Sequence, residues 1–215
     1  MEITSISGEI FLSCMGLIII LVSVFSNKEN SFNLSYRLSL FSFIVAGIII
    51  FITHNDSGKL FLDAYTFDGL ARYSKLLILF GASMALLIGF KSLKIDNLAI
   101  PELPILFLFS VLGMLLMTSA TDLISLYMSL ELQSLPLYIL AGIRKDNTKS
   151  SEAGLKYFIL GALSSGIILY GMSLIYGAVG STSFSSIAVV VNSEMSNLML
   201  MGMIFIISGI TIKTQ

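Results

Sequence analysis

From Ile10 to Lys213 the chain is a series of long, continuously apolar runs, each closed by a short polar stretch. The runs are near Ile10–Phe25, Tyr36–Thr53, Tyr73–Phe90, Pro104–Ser119, Leu123–Ile143, Ser151–Gly177 and from Asn197 onward. Each approaches or reaches the roughly 17–25 residues a helix needs to cross a bilayer. A membrane β-barrel would instead show alternating segments of about ten residues. In lipid every backbone polar group must be satisfied within its own segment, which leaves the helix as the form of each run. The expected fold is therefore all-α: a polytopic membrane protein of about seven transmembrane helices, one integral membrane domain over residues 1–215, with the lipid bilayer as its first partner.

Composition supports this and excludes several functions. Hydrophobic residues make up 56% of the chain and charged ones 12%, where a soluble domain averages about 25% charged. A net charge of −1 carries no signature of nucleic-acid binding. One cysteine, Cys14, and one histidine, His54, cannot build an intrachain disulfide, a bis-histidine haem, an iron–sulfur site or a zinc site. No cofactor is expected in this chain, and any redox chemistry connected with it belongs elsewhere. The N-terminus has no Lys or Arg before Lys28, unlike a cleaved secretory signal, so the first run is expected to be retained. Lys28, Arg37, Lys91, Lys94, Arg144, Lys145 and Lys149 flank one side of the runs; Lys59, Arg72 and Lys75 flank the other. The imbalance puts the N-terminus outside and the Arg144–Lys149 loop inside.

Glu131 lies inside the fifth run, LISLYMSLELQSLPLYILAGI. It sits roughly 12 Å from the start of that helix at 1.5 Å per residue. A carboxylate at such depth costs on the order of 2.5–3.5 kcal/mol and usually faces a partner or a water-filled path. Ser134 shares its face, and Pro136 removes the hydrogen bond to the Leu132 carbonyl, which favours a hydrated break near the acid. Lys156 lies about one turn inside the sixth run. The short loop makes runs five and six an antiparallel hairpin, so Lys156 could reach Glu131 through one or two waters, although a lysine there can also snorkel to the surface. Lys213 closes the seventh run and reads either as an interior base or as an interfacial anchor. An acid and bases on neighbouring membrane helices suggest proton or ion movement, because each charge affects the proton held by the other. Asp122 is expected to cap the fifth helix, and Ser150 or Ser151 the sixth. His54 reads as an interfacial side chain.

The strings DLISLYMSLELQSLPLYILAG and SSEAGLKYFILGALSSGIILYG closely resemble the N subunit of proton-pumping NADH:quinone oxidoreductase, respiratory complex I, and its mitochondrial counterpart, NADH dehydrogenase subunit 2. LELQSLPLYIL followed by EAGLKYF is the specific part; weaker similarity runs from the first span to SGITIK. The resemblance implies an antiporter-like inverted-repeat fold, of which this chain is the N-terminal part. It also implies that Glu131 tunes membrane lysines, with Lys156 and Lys213 as further proton-translocating residues. NAD, FMN, iron–sulfur clusters and quinone would then belong to other subunits, and the partners would be other membrane subunits of complex I. The family has about fourteen helices built on inverted repeats that share an interface, so a separate chain supplying the second half is expected. The sequence leaves a fragment, a split subunit and a disrupted reading frame all open. A bacterial inner membrane is the expected location, with the mitochondrial inner membrane as the alternative. The other readings are a multisubunit cation/proton antiporter subunit and a truncated, non-conducting assembly subunit.

Overall fold

The computed structural model describes residues 3–26, 28–53, 58–61, 63–96, 98–144, 146–193 and 195–214. His54 and Lys145 lie outside the described residues. A short 3-10 helix, Ile3–Ile6, leads into α1 (Ser7–Phe25), followed by α2 (Lys28–Ile52). A small hairpin of β1 (Gly58–Leu60) and β2 (Tyr65–Phe67) precedes α3 (Gly69–Ile95) and α4 (Glu102–Met117). Then come α5 (Leu123–Ala141), α6 (Thr148–Val179), α7 (Phe184–Ser193) and α8 (Asn197–Lys213). Five of these helices are long and apolar enough to cross a membrane, and α4 and α8 are shorter apolar helices. The protein is thus a polytopic membrane protein of the all-α class. α7 lies in the connection between the sixth and seventh apolar runs, and its Ile187 is buried in a cluster with Ile168, Met172 and Ile175 of α6.

Two hydrophobic cores form. The first joins α1–α4 around Leu12, Ile19, Phe43, Leu79, Leu108 and Leu115. The second joins α5–α8 around Leu123, Ile168, Met172, Ile175 and Met199. They meet where α4 packs on α5. There Gly113 lets the backbones touch: a Cβ at this position would come within 2.5 Å of the Gln133 nitrogen and 2.9 Å of the Ser129 carbonyl oxygen. Close approach through small residues is how helices associate when lipid gives no hydrophobic drive between them. α6 and α8 use the same device, with Gly171 and Gly202 facing each other across the contact. Many large apolar side chains remain on the outside, Leu17, Phe51, Leu77, Ile88 and Ile204 among them, as befits surface that meets acyl chains.

Polar connections are stitched together at the end of the bundle where α1, α3 and α5 begin. β1 and β2 pair antiparallel with Lys59 opposite Thr66. The Thr66 nitrogen donates to the Ser119 carbonyl and the Thr121 nitrogen to the Ala64 carbonyl. The Leu123 nitrogen donates to the Thr182 carbonyl, and the Phe184 nitrogen to the Thr121 carbonyl. The connection between the second and third runs is therefore an anchored hairpin, and it fixes where Tyr65 points.

Candidate functional site

Asp122 starts α5 as the sequence indicates. Its carboxylate accepts a hydrogen bond from the Ser125 nitrogen at 2.5 Å, satisfying one of the donors a helix start leaves free. α6 begins earlier than expected. Asn147, accepting from the Lys149 nitrogen at 3.0 Å, stands at the N-cap in place of Ser150 or Ser151. Asparagine caps at least as well as serine, and it extends the helix by a turn. The expected break at Pro136 does not occur: α5 runs unbroken from Leu123 to Ala141. The Ser134 hydroxyl donates to the Leu130 carbonyl at 2.5 Å, one turn back in the same helix.

Glu131 meets Lys213. The Lys213 ammonium donates to Glu131 Oε1 at 2.6 Å and to Ser165 Oγ at 3.1 Å, and the Ser165 hydroxyl donates to the same Glu131 oxygen. Three helices, α5, α6 and α8, thus each give one polar group to a single cluster. The lysine can reach because Cα–Cβ bonds tilt toward a helix's N-terminus, so a residue in the last turn of α8 leans back along it. Register is held nearby by the Ser164 hydroxyl, which donates to the Gly209 carbonyl at 2.8 Å across the α6–α8 contact. The cluster is only partly enclosed, with Lys213 and Glu131 side chains 10% and 21% exposed. Charges in apolar surroundings survive when paired and hydrogen bonded, and this cluster meets both conditions.

Lys156 is not brought to Glu131. Its ammonium pairs with Glu152 Oε1 at 2.6 Å, one turn back on the exposed side of α6. Helical geometry explains this. Gly154, Gly161 and Ser165 form the stripe of α6 that faces α5: Gly154 packs against Gly142, Gly161 against Tyr138, and Ser165 bonds Glu131. At about 100° per residue, Lys156 lies roughly 200° around from Gly154, on the opposite side. Leu155, Ile159 and Leu163 surround it there and are exposed.

A second acid–base pair, for which the sequence reading had no role, lies in the first core. Lys75 Nζ is 2.6 Å from Glu9 Oε1, with side chains 1% and 3% exposed. The Tyr65 hydroxyl donates to Glu9 Oε1 at 2.8 Å and accepts from Lys75 at 2.7 Å. Lys75 also lies 4.7 Å from the Tyr65 ring centre, a cation–π distance. Burial, and then the charge of Glu9, raise the Tyr65 phenol well above its ordinary value, so its hydroxyl remains a donor. The signal was present in the sequence: Lys75 stands within an apolar run, and an intramembrane ion implies a partner at the same depth. Glu9, at the lip of the first run, was the available acid.

Residues 120–215 match the family described as NADH:quinone oxidoreductase/Mrp antiporter, transmembrane. NADH-quinone oxidoreductase subunit N of Rhodospirillum rubrum is 46% identical over 96% of this chain and 43% of its own length. Subunit N of Maricaulis maris is 39% identical over 100% of this chain and 45% of its own. Among solved structures, a chain of respiratory complex I from Thermus thermophilus with bound aureothin superposes with a TM-score of 0.76 at 26% identity, covering 95% of this chain and 43% of that one. A chain of the membrane-bound sulfane sulfur reductase, an archaeal respiratory membrane complex, shares the fold at a TM-score of 0.79 and 19% identity. The chain spans less than half the length of the curated relatives it matches. In sequence along nearly its whole length, and in fold, it resembles part of subunit N of NADH-quinone oxidoreductase.

Proposed function

We propose that the chain is a proton-translocating membrane portion of an NADH:quinone oxidoreductase, with the Glu131–Ser165–Lys213 cluster as its proton-handling site. The observation that carries this reading is the 2.6 Å contact between Lys213 and Glu131 among apolar helices. Together the two charges compensate each other. Drawn apart in a low-dielectric medium, each is left costly, and the strain is relieved by moving a proton off the ammonium or onto the carboxylate. Ser165, bonded to both, can pass a proton between them through its hydroxyl. Any conformational change that separates α5 from α8 would therefore release or take up a proton at this cluster.

Electron transfer from NADH through FMN and iron–sulfur clusters to quinone belongs to other subunits in this reading, and other membrane subunits cover the open flank of α6 and α8. Lys156 joins the proton path only across such a covering surface, since it faces away from Glu131. The N-terminus lies outside, in a bacterial inner membrane. A cation/proton antiporter subunit is the second reading, favoured by the family description of residues 120–215.

The test is Glu131→Gln in the assembled enzyme, with proton uptake into vesicles measured per NADH oxidised. The expected result is a loss of transported protons per electron while the complex still assembles. An unchanged ratio in an assembled complex sinks the reading and leaves a structural subunit. Sodium-dependent transport without NADH would instead support the antiporter.

A further inference from the structure

The Glu9–Lys75–Tyr65 triad lies apart from the cluster just described and has features that a purely structural ion pair does not need. Its hydrogen bonds are lopsided: both Lys75 and Tyr65 donate to or lie against Glu9 Oε1, while Glu9 Oε2 is buried without a hydrogen-bond partner among the described residues. A buried carboxylate oxygen left this way is expensive as an anion. It is also the atom on which a proton would land. A buried ion pair seldom stabilises a fold more than well-packed apolar side chains would, so its presence asks for another reason.

Space for water comes as near to the triad as Tyr65. A cavity of about 280 Å³ is lined by Tyr65 together with Ile6, Ser125 and Ser129. Its lining is mostly apolar, with Phe61, Leu116 and Met128 among it, and Tyr65, Ser125 and Ser129 are its polar side chains. Tyr65 thus fronts the cavity and also hydrogen bonds both charges. Ser125 and Ser129 belong to α5, the helix that carries Glu131. Glu131 is two residues beyond Ser129, roughly 200° around the helix, and faces Ser165 instead. α5 therefore separates the two acids. Among the described residues, the titratable and charged groups facing Glu9 are Lys75 and Tyr65, with Asp68 at the start of α3 acting on Lys75.

We propose that Glu9, Lys75 and Tyr65 form a second proton-binding site, in which Glu9 takes up one proton from water in the cavity behind Tyr65. One O–H bond forms, at Glu9 Oε2, and the donating hydronium becomes water. The triad passes from a carboxylate beside an ammonium to a carboxylic acid beside an ammonium, gaining one positive charge. Lys75 keeps its proton throughout, and Tyr65 continues to donate to Oε1. The site exchanges protons at the end of the bundle where the hairpin closes, and it does so whether or not Glu131 transports protons.

Infrared titration of the natively assembled chain in membranes, with carbon-13-labelled glutamate, tests this. On acidification a carbonyl band of protonated glutamate should grow and shift in heavy water. It should be missing in Glu9→Gln and present in Glu131→Gln. An identical band in Glu9→Gln, or no glutamate band in the wild type, overturns the proposal. If Glu9→Gln fails to accumulate, Tyr65→Phe serves, since it keeps the ring and removes the hydroxyl. Its band should titrate at a shifted pH and exchange more slowly; an unchanged midpoint and rate overturn the proposal equally. A merely structural pair would alter the stability of Tyr65→Phe and leave no pH-dependent glutamate band to move.

Discussion

The molecule contains the same chemical device twice, in two different settings. Glu9 and Lys75 are enclosed by α1, α3 and the hairpin, with side chains 3% and 1% exposed, and their partner Tyr65 lines a cavity. Glu131 and Lys213 meet at the same 2.6 Å, but on the flank of α6 and α8, where both remain partly exposed. Their third partners differ too. Tyr65 brings a rigid ring and a phenol to the first pair, whereas Ser165 brings a small hydroxyl to the second. The first pair is locked on several sides by a stitched end of the bundle. The second joins α5 and α6 to the last turn of α8. Distance alone therefore does not tell an enclosed acid–base pair from a partly exposed one; the elements around each group do.

Four substitutions sharpen or break this comparison. The largest effect is expected for Lys75→Met, which strands the Glu9 carboxylate in the first core. Removing one partner of a buried ion pair costs about 3–5 kcal/mol. The midpoint of thermal unfolding in detergent should fall steeply, and adding Glu9→Gln to the same chain should recover much of the loss. A single and a double variant of equal stability would mean that the pair is not enclosed as described.

Next comes Lys213→Met. Its partner keeps access to solvent, so the destabilisation should be smaller, about 1–3 kcal/mol for an unsatisfied acceptor. Proton transport per electron should suffer more than stability does. Equal thermal losses for Lys75→Met and Lys213→Met would erase the contrast between the two settings.

Gly113→Ala probes the seam between the two cores. Its new Cβ meets the α5 backbone at Gln133, which cannot swing aside as a side chain tip would. Overpacking of this kind costs about 1–3 kcal/mol. Cysteine cross-linking between α4 and α5 should report a wider separation. An unshifted cross-linking pattern would show that α4 and α5 are not in backbone contact.

The smallest effect is expected at Lys156→Gln. An exposed pair one helical turn apart contributes about 0.5 kcal/mol or less. Thermal stability should barely change. A transport defect in this variant, with assembly intact, would mean that a covering partner draws Lys156 into the proton path.

Much of the architecture was legible because a bilayer enforces one simple rule. Seven apolar runs gave seven helices, with boundaries displaced by up to eight residues, as at α2, which begins at Lys28 where the run begins at Tyr36, and at α6, which Asn147 rather than a serine caps. Glu131 was visible because a carboxylate within an apolar run has few structural reasons to be there. Its partner was not. Hairpin proximity favoured Lys156, yet the glycine stripe at 154 and 161 turns that lysine away, and α8 packs along α6 to bring Lys213 in. The hairpin and α7 were missed because short polar connections carry little periodic signal, and they form by hydrogen bonding to other connections distant in sequence.

The sequence alone determined that the chain is a helical membrane protein, that the strings at residues 122–142 and 150–171 carry a recognisable pattern, and that an acid lies at depth within the fifth helix. These are local properties, set by the length of apolar runs and by the cost of charge in lipid. Only the tertiary structure decided which charges meet. Pairing depends on how each helix is rotated about its own axis and how far it slides along its neighbour. A shift of one residue turns a side chain by about 100° and so exchanges one partner for another.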